Sequence, residues 1–375
     1  MTTPEPLCRW CATSTVQPVL DLGAQPAADQ FPLPEEFGAE QRFPLRMGVC
    51  AVCGLAQLLE DPTVPDEPRG VEPAAMVEQA TEAIELVAAS GRLSAGSRLV
   101  EFDSPHGGSW RPALAARGLR DVTESSEQAE IVLDVFSMMH DADQRAALTT
   151  RVRRLSPDGV LLLQYHPITT IVAQRQWNAL RHGHMAYYST TALTAMLGEL
   201  GLTPVTAWTF SLYGGTVLLL ASRDGAPDAT VQRLLELDRA AGATEAAFVA
   251  TLQPQVERST SELRRWLDGC AERGERVMGY SAASRAVPLL NSAEITAREL
   301  PSIADGAEAK WGRMIPGVGI PIVSPAQLLE QRADKIVLFV PDLLDEVRRA
   351  FPEVEAWGGR WVTTEPSISE AVPIG

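Results

Sequence analysis

The sequence predicts an α/β protein in three parts: a small cysteine-held module, a doubly wound central sheet, and a second α/β unit reached through a helical arm. Two CxxC pairs fall within the first 53 residues. Strand-like runs then alternate with helical patterns from about residue 98. An almost unbroken helix-forming stretch over 226–273 leads into more strand–helix alternation. Such alternation is the signature of sheets covered by helices.

"CRWC" and "CAVC" set Cys8 with Cys11 and Cys50 with Cys53, and two such knuckles suit a tetrahedral structural zinc site. A zinc-binding domain is expected over 1–68, with the proline-rich, acidic "EDPTVPDEPRGVEP" as a linker or docking loop near 60–73. The core, 69–225, opens on a helical pattern ending at Gly91. "SRLVEFD", "IVLDVFS", "VLLLQY" and "GGTVLLLAS" read as its strands, with "SPDG" as a turn. The helical arm covers 226–273. A C-terminal α/β domain, 274–375, follows with strands in "ERVMGYSA", "KIVLFVP" and "GRWVTTE" and a helix in "LLDEVRRAF".

Composition narrows the function. The net charge of −16 argues against a general nucleic-acid binder, which needs a basic face for phosphates. A small anionic ligand remains compatible, because a few local arginines can hold it. No run approaches eighteen apolar residues, and the start "MTTPEPLCRW" lacks a secretory pattern, so a cytoplasmic protein with no membrane partner is expected. A small-molecule substrate is the expected partner. Cys270, alone in a helical pattern, reads as a packed thiol.

All five histidines lie between His106 and His184. "RHGHMAYYS" holds two of them behind Arg181. Removing a proton next to a carbonyl needs a base poised near neutral pH and a donor for the enolate oxygen. His184 can supply the first, and Arg181 or a second histidine the second. An arginine here also suits a carboxylate or phosphate, which it grips with two parallel bonds.

Four separated strings resemble the sugar C-methyltransferases of antibiotic deoxysugar biosynthesis. They are "CRWCATSTVQPVLDLGAQPAADQF" with "FPLRMGVCAVCGLAQL", "LSPDGVLLLQ", "LYGGTVLLLASR", and "VMGYSAASRAVPLLN" with "GRMIPGVGIPI" and "GGRW". The resemblance implies a zinc-binding domain, a Rossmann-like methyltransferase core and a C-terminal Rossmann-like domain. It implies methylation beside the ketone of a nucleotide-linked ketosugar, with S-adenosylmethionine as donor. The family's Tyr-x-Glu-His base motif lands on "RHGH", which keeps His184 and replaces the tyrosine with Arg181 and the glutamate with Gly183. His140 matches a second pocket histidine. His182, Tyr187, Tyr213, Tyr280 and Arg285 are candidate substrate contacts.

The donor site departs from the family. Its glycine-rich loop reads "EFDSPHG", with Asp103 for the first glycine and His106 for the aspartate, while Glu101 and Gly107 are kept. Glu124 stands where an acid would hold the ribose. From there the chain reaches its next strand in too few residues for a helix and a further strand. The core is therefore expected to be truncated and donor binding weakened or lost. Enolisation without an electrophile would then give epimerisation, isomerisation, elimination or decarboxylation. A non-catalytic partner role is the third expectation.

Overall fold

The computed structural model describes residues 6–63, 72–105 and 107–372. Most of the expected linker, and His106, lie outside them.

The N-terminal module is an antiparallel sheet. Strand β1 (Val16–Pro26) pairs with β2 (Arg42–Cys50), and β2 with β3 (Ala56–Leu58). It docks on the next part through backbone contacts: Arg9 accepts from the Gln144 amide at 3.2 Å, and Arg145 donates to the Trp10 carbonyl at 3.1 Å while its guanidinium covers the Trp10 ring.

The central sheet begins with β4 (Arg98–Phe102), β5 (Arg120–Asp121), β6 (Ala129–Val135) and β7 (Leu155–Tyr165), which run parallel. The chain then returns to the first sheet with β8 (Ala186–Tyr187), which pairs with β3, before β9 (Thr203–Phe210) and β10 (Thr216–Ser222) complete the centre. The central order is β5-β4-β6-β7-β10-β9. Strands β6, β7 and β10 are covered on both faces, which is why they read as continuous Val and Leu runs rather than as alternation.

Two local expectations need correction. "SPDG" is not a free turn, because β7 starts at Leu155 and runs through it. Leu155 pairs with Ala129 before a register shift to Ile131, so Pro157 and Asp158 stay exposed in an irregular strand start. The arm is three helical pieces, Ala229–Ala241, Ala246–Val249 and Gln253–Glu272, because Gly242 takes a left-handed cap at φ 70°.

The last part is a second, mostly parallel sheet: β11 (Val277–Tyr280), β12 (Ile303–Ala304), β13 (Ile322–Val323), β14 (Lys335–Leu338), β15 (Arg360–Thr363) and an antiparallel edge, β16 (Ser369–Glu370). Its order is β13-β12-β11-β14-β15-β16. Its core is continuous with the first module's, since Leu20, Leu45 and Met47 share one apolar cluster with Leu263, Val287 and Val337.

One buried ion pair fixes the loop that follows β6. Arg151, 4% exposed, meets Asp134, 1% exposed, at 2.6 Å. The same carboxylate accepts from the Ser137 and Met138 amides at 2.9 and 3.1 Å. Removing one member of such a pair strands the other charge in the interior. Arg151→Met should therefore lose about 3–5 kcal/mol of stability in a urea titration, and a loss below about 1 kcal/mol would contradict this role.

Candidate functional site

The carboxyl ends of both parallel sheets face one cavity of about 420 Å³. Ser104 and Pro105 follow β4, Phe136 follows β6 and His166 follows β7, while Ser281 and Asp305 follow β11 and β12. Crevices beyond the carboxyl ends of strands are where α/β sheets hold ligands. Three residues on this wall, Phe136, Tyr213 and Ser281, take left-handed backbone at φ 56°, 57° and 73°. Each conformation costs on the order of 1–3 kcal/mol outside glycine, and such strain gathers at functional sites.

The histidine segment is built as an extension of the cysteine module. Strand β8 pairs Ala186 and Tyr187 with Gln57 and Ala56. The Leu58 amide donates to the Met185 carbonyl at 3.1 Å, and the Met185 amide to the Met139 carbonyl at 2.7 Å. Asp61 accepts a short hydrogen bond from the Gly183 amide. These ties leave His184, 7% exposed, at the cavity wall.

Arg181 donates from Nε to His184 Nε2 at 2.8 Å, and from Nη1 to the Ser284 hydroxyl in the C-terminal part. His184 Nε2 therefore carries the lone pair, and its hydrogen belongs on Nδ1. The His140 ring meets His184 edge-on, 4.8 Å between centroids, and its Nδ1 lies 2.8 Å from the Gly183 carbonyl. His140 thus braces the loop and the imidazole, and the cavity lining includes its neighbour Met139 instead. His182 turns the other way, with Nε2 3.2 Å from the Pro44 carbonyl and its ring against Phe43. That geometry is structural, not a substrate contact.

The other expected contacts converge. Tyr187, Tyr213, Tyr280 and Arg285 all line the cavity. Tyr187 donates to the Ala179 carbonyl at 3.2 Å, and burial pushes its hydroxyl well above the ordinary range. Tyr213 points its hydroxyl at Met76 Sδ, 3.4 Å away. Arg285 is paired with Glu365 at 3.0 Å, and Lys310 donates to the Ala282 carbonyl at 3.0 Å over the Phe31 ring.

Sequence reasoning missed Lys310, Asp305, Asp342 and His166 as cavity residues. The first three come from a domain whose motifs identify its fold, not its facing side chains. His166 had one signal, its place directly after a buried strand. Burial, then the nearby Arg285 and Arg181 cations, drive its imidazole down to about 3. Its Nε2 meets no hydrogen-bond partner among the described residues.

Among the described residues, the methyl-donor loop is tied back on itself. Glu101, 3% exposed, accepts from the Trp110 amide at 2.8 Å and from the Ser109 hydroxyl, so its carboxylate is spent inside its own loop. Burial pushes that carboxyl up against those bonds. Arg111 bridges Asp103 at 2.8 Å and Glu101 at 3.2 Å. Gly107 and Gly108 keep φ of 82° and 79°, but a Cβ on Gly108 would lie 2.6 Å from a Glu72 carboxylate oxygen. The recess beside Gly107 and Gly108 is about 10 Å³, room for one water, while Ser104, Pro105, Glu72 and Met76 also line the larger cavity. Residues 122–128 pass from β5 to β6 with no helix or strand between, and Glu124 is exposed on that crossing. These residues do not fit S-adenosylmethionine as they stand.

The four cysteine sulfurs do fit zinc. All lie within 4.8 Å of one another, with Cys8 3.4 Å from Cys53 and Cys11 3.6 Å from Cys50. A tetrahedron of thiolates on zinc places sulfurs about 3.8 Å apart. The hydrogen bond from Cys53 pulls the Cys8 thiol down to about 5, and the same contact drives Cys53 well up. A bound dication would let all four ionise together.

Two outcomes follow. Elemental analysis should find one zinc per chain, and Cys50→Ser should lower Tm by about 10 °C or more; a metal-free, fully stable protein would contradict this. For His166, the unfolded chain takes up a proton near the ordinary 6.5 that the folded chain refuses until about 3. Stability should therefore fall as pH drops through that window. His166→Phe should flatten that part of an acid-unfolding curve, and an unchanged slope would contradict the burial.

The comparisons with known proteins agree with this architecture. Residues 8–66 match a family described as a zinc binding domain, and residues 211–366 match the C-methyltransferase C-terminal domain. The C-methyltransferase NovU of Streptomyces niveus is 23% identical, over 96% of this chain and 95% of that protein. Among solved structures, magnesium protoporphyrin IX methyltransferase of Synechocystis PCC 6803 aligns with a TM-score of 0.30 at 13% identity, over 40% of this chain and 84% of that one. The N-methyltransferase NodS of Bradyrhizobium japonicum gives 0.27 at 19%, over 39% and 95%. No helix among the described residues is long and apolar enough to cross a membrane. The two matched domains, in that order, and the relative that spans nearly the whole chain make this protein a methyltransferase-like enzyme similar to the C-methyltransferases.

Proposed function

We propose that the enzyme moves a proton at the carbon next to a carbonyl of a small molecule, a nucleotide-linked ketosugar or a compound like it, and that it does so without a methyl donor. The observation that carries this reading is the asymmetry of the site. The base side has His184 at a cavity wall beside Arg181, while on the donor side Arg111 bridges Asp103 and Glu101, and Glu72 lies against Gly108.

His184 Nε2 is the basic atom. It takes the proton from the substrate carbon, the C–H electron pair moves to form the enolate, and the charge comes to rest on the carbonyl oxygen. Arg181 stands next to that charge as a cation inside a site shielded from bulk water, where such interactions are strongest. His140 and Asp61 hold the ring and the loop. The proton then returns to the same or the opposite face, or the enolate expels a group from the neighbouring carbon. Nothing in these steps needs a carbon electrophile.

A second reading is methyl transfer itself. It is supported by the near-full-length likeness to a C-methyltransferase and by Gly107 and Gly108, which keep the left-handed backbone of a donor loop. It requires the Asp103–Arg111 bridge to open.

Deuterium exchange separates them. Incubated in D2O with a nucleoside-diphosphate 4-keto-6-deoxyhexose, the enzyme should place deuterium beside the carbonyl with no added donor, as read by NMR. His184→Gln should slow this by about 100-fold or more. Calorimetry with S-adenosylhomocysteine should show no binding. Low-micromolar affinity, with exchange only in its presence, would replace the first reading with the second.

A further inference from the structure

The contact that equips the site also silences it. Arg181 donates a guanidinium N–H straight to His184 Nε2, the atom that the proposed chemistry needs as a free lone pair. The same guanidinium is pinned by the Ser284 hydroxyl, across from the histidine segment. We propose that Arg181 is a latch: it covers the lone pair of His184 until an anionic group of the ligand draws the guanidinium away.

The geometry supports a swing and not a fixed pair. Two of the arginine's hydrogen bonds, its anchors to His184 and Ser284, go to neutral acceptors, and a carboxylate or phosphate outcompetes neutral acceptors because its bonds to guanidinium are charge-assisted and bidentate. Both anchors lie on the cavity wall, so a ligand anion entering there reaches the guanidinium without crossing packed side chains. Around His184 stand Arg181, His140 and Tyr187, with Asp61 one residue away on the Gly183 amide. Of these, Arg181 donates to Nε2. When the latch lifts, the cation moves to the ligand anion and the lone pair is exposed. No bond is made or broken by the latch itself.

The latch rests on His184 being the base, but its test does not use turnover. Diethyl pyrocarbonate acylates the lone pair of a neutral imidazole, and peptide mass spectrometry reads each of the five histidines separately. In chloride buffer, His184 of the full-length zinc-loaded protein should react about ten- to a hundredfold more slowly than in Arg181→Met, the range expected for losing a hydrogen bond to a charged group. Inorganic phosphate in one arm and acetate in another should speed the wild type and leave Arg181→Met unchanged. The faster arm names the anion. Ser284→Ala, which loosens one anchor and keeps the arginine, should fall between the two, and it stands in for Arg181→Met if that variant fails to fold. Equal rates in wild type and both variants would overturn the masking. Acceleration by neither anion, or slowing by both, would overturn the release. Loss of deuterium exchange in a protein that shows the latch would instead count against the reaction, not against Arg181.

Discussion

The site depends on one constraint: the segment 181–188 is held by the outermost strand, β8, of a sheet that begins at the cysteine cluster. Strand β8 has only two residues, too short to hold itself, and it borrows order from β3. β3 in turn follows the second cysteine knuckle by three residues. A metal that closes the two knuckles would therefore act on the geometry of the candidate site at a distance, through a ladder of backbone bonds. Asp61 extends the same support, because the carboxylate that grips the Gly183 amide belongs to the chain leaving this sheet.

From that fixed strand, the remaining wall of the cavity follows from topology. Two parallel sheets point their carboxyl ends at one space, one carrying apolar and aromatic groups such as Phe136 and Tyr213, the other carrying Ser284, Arg285 and Lys310. The histidine segment lies at their junction, so its arginine reaches Ser284 while its imidazole stays with the first wall. The donor loop makes its polar contacts within the chain. An acid at 103 attracts Arg111, Glu101 turns inward to its own loop, and Glu72 settles against Gly108. Of these acids only Glu101 is buried, while the Asp103–Arg111 bridge stays at the surface.

Much of this was legible in the residues. Two CxxC pairs announced the metal module, and the continuous "VLLLQY" and "GGTVLLLAS" runs announced strands covered on both faces. The short crossing after Glu124 announced the missing strand, since seven residues cannot cross a sheet through a helix. Other features were not legible for physical reasons. That His182 and His184 face opposite ways departs from strand alternation, which would put positions i and i+2 on one side, and the left-handed Gly183 between them, at φ 84°, is what turns the chain. That His140 supports rather than contacts depends on the edge-to-face packing of two rings 44 positions apart. The acids and Lys310 on the far wall depend on how two domains are set against each other, which no local pattern encodes.

The most direct measurement of the central constraint is hydrogen–deuterium exchange of the peptide covering 181–188, with the metal present and after its removal by a chelator. The account predicts that the amides of Gly183, Met185 and Tyr187 lose protection with the metal while β6 and β7 keep theirs. Unchanged protection across 181–188 in a chain shown to be metal-free would contradict it.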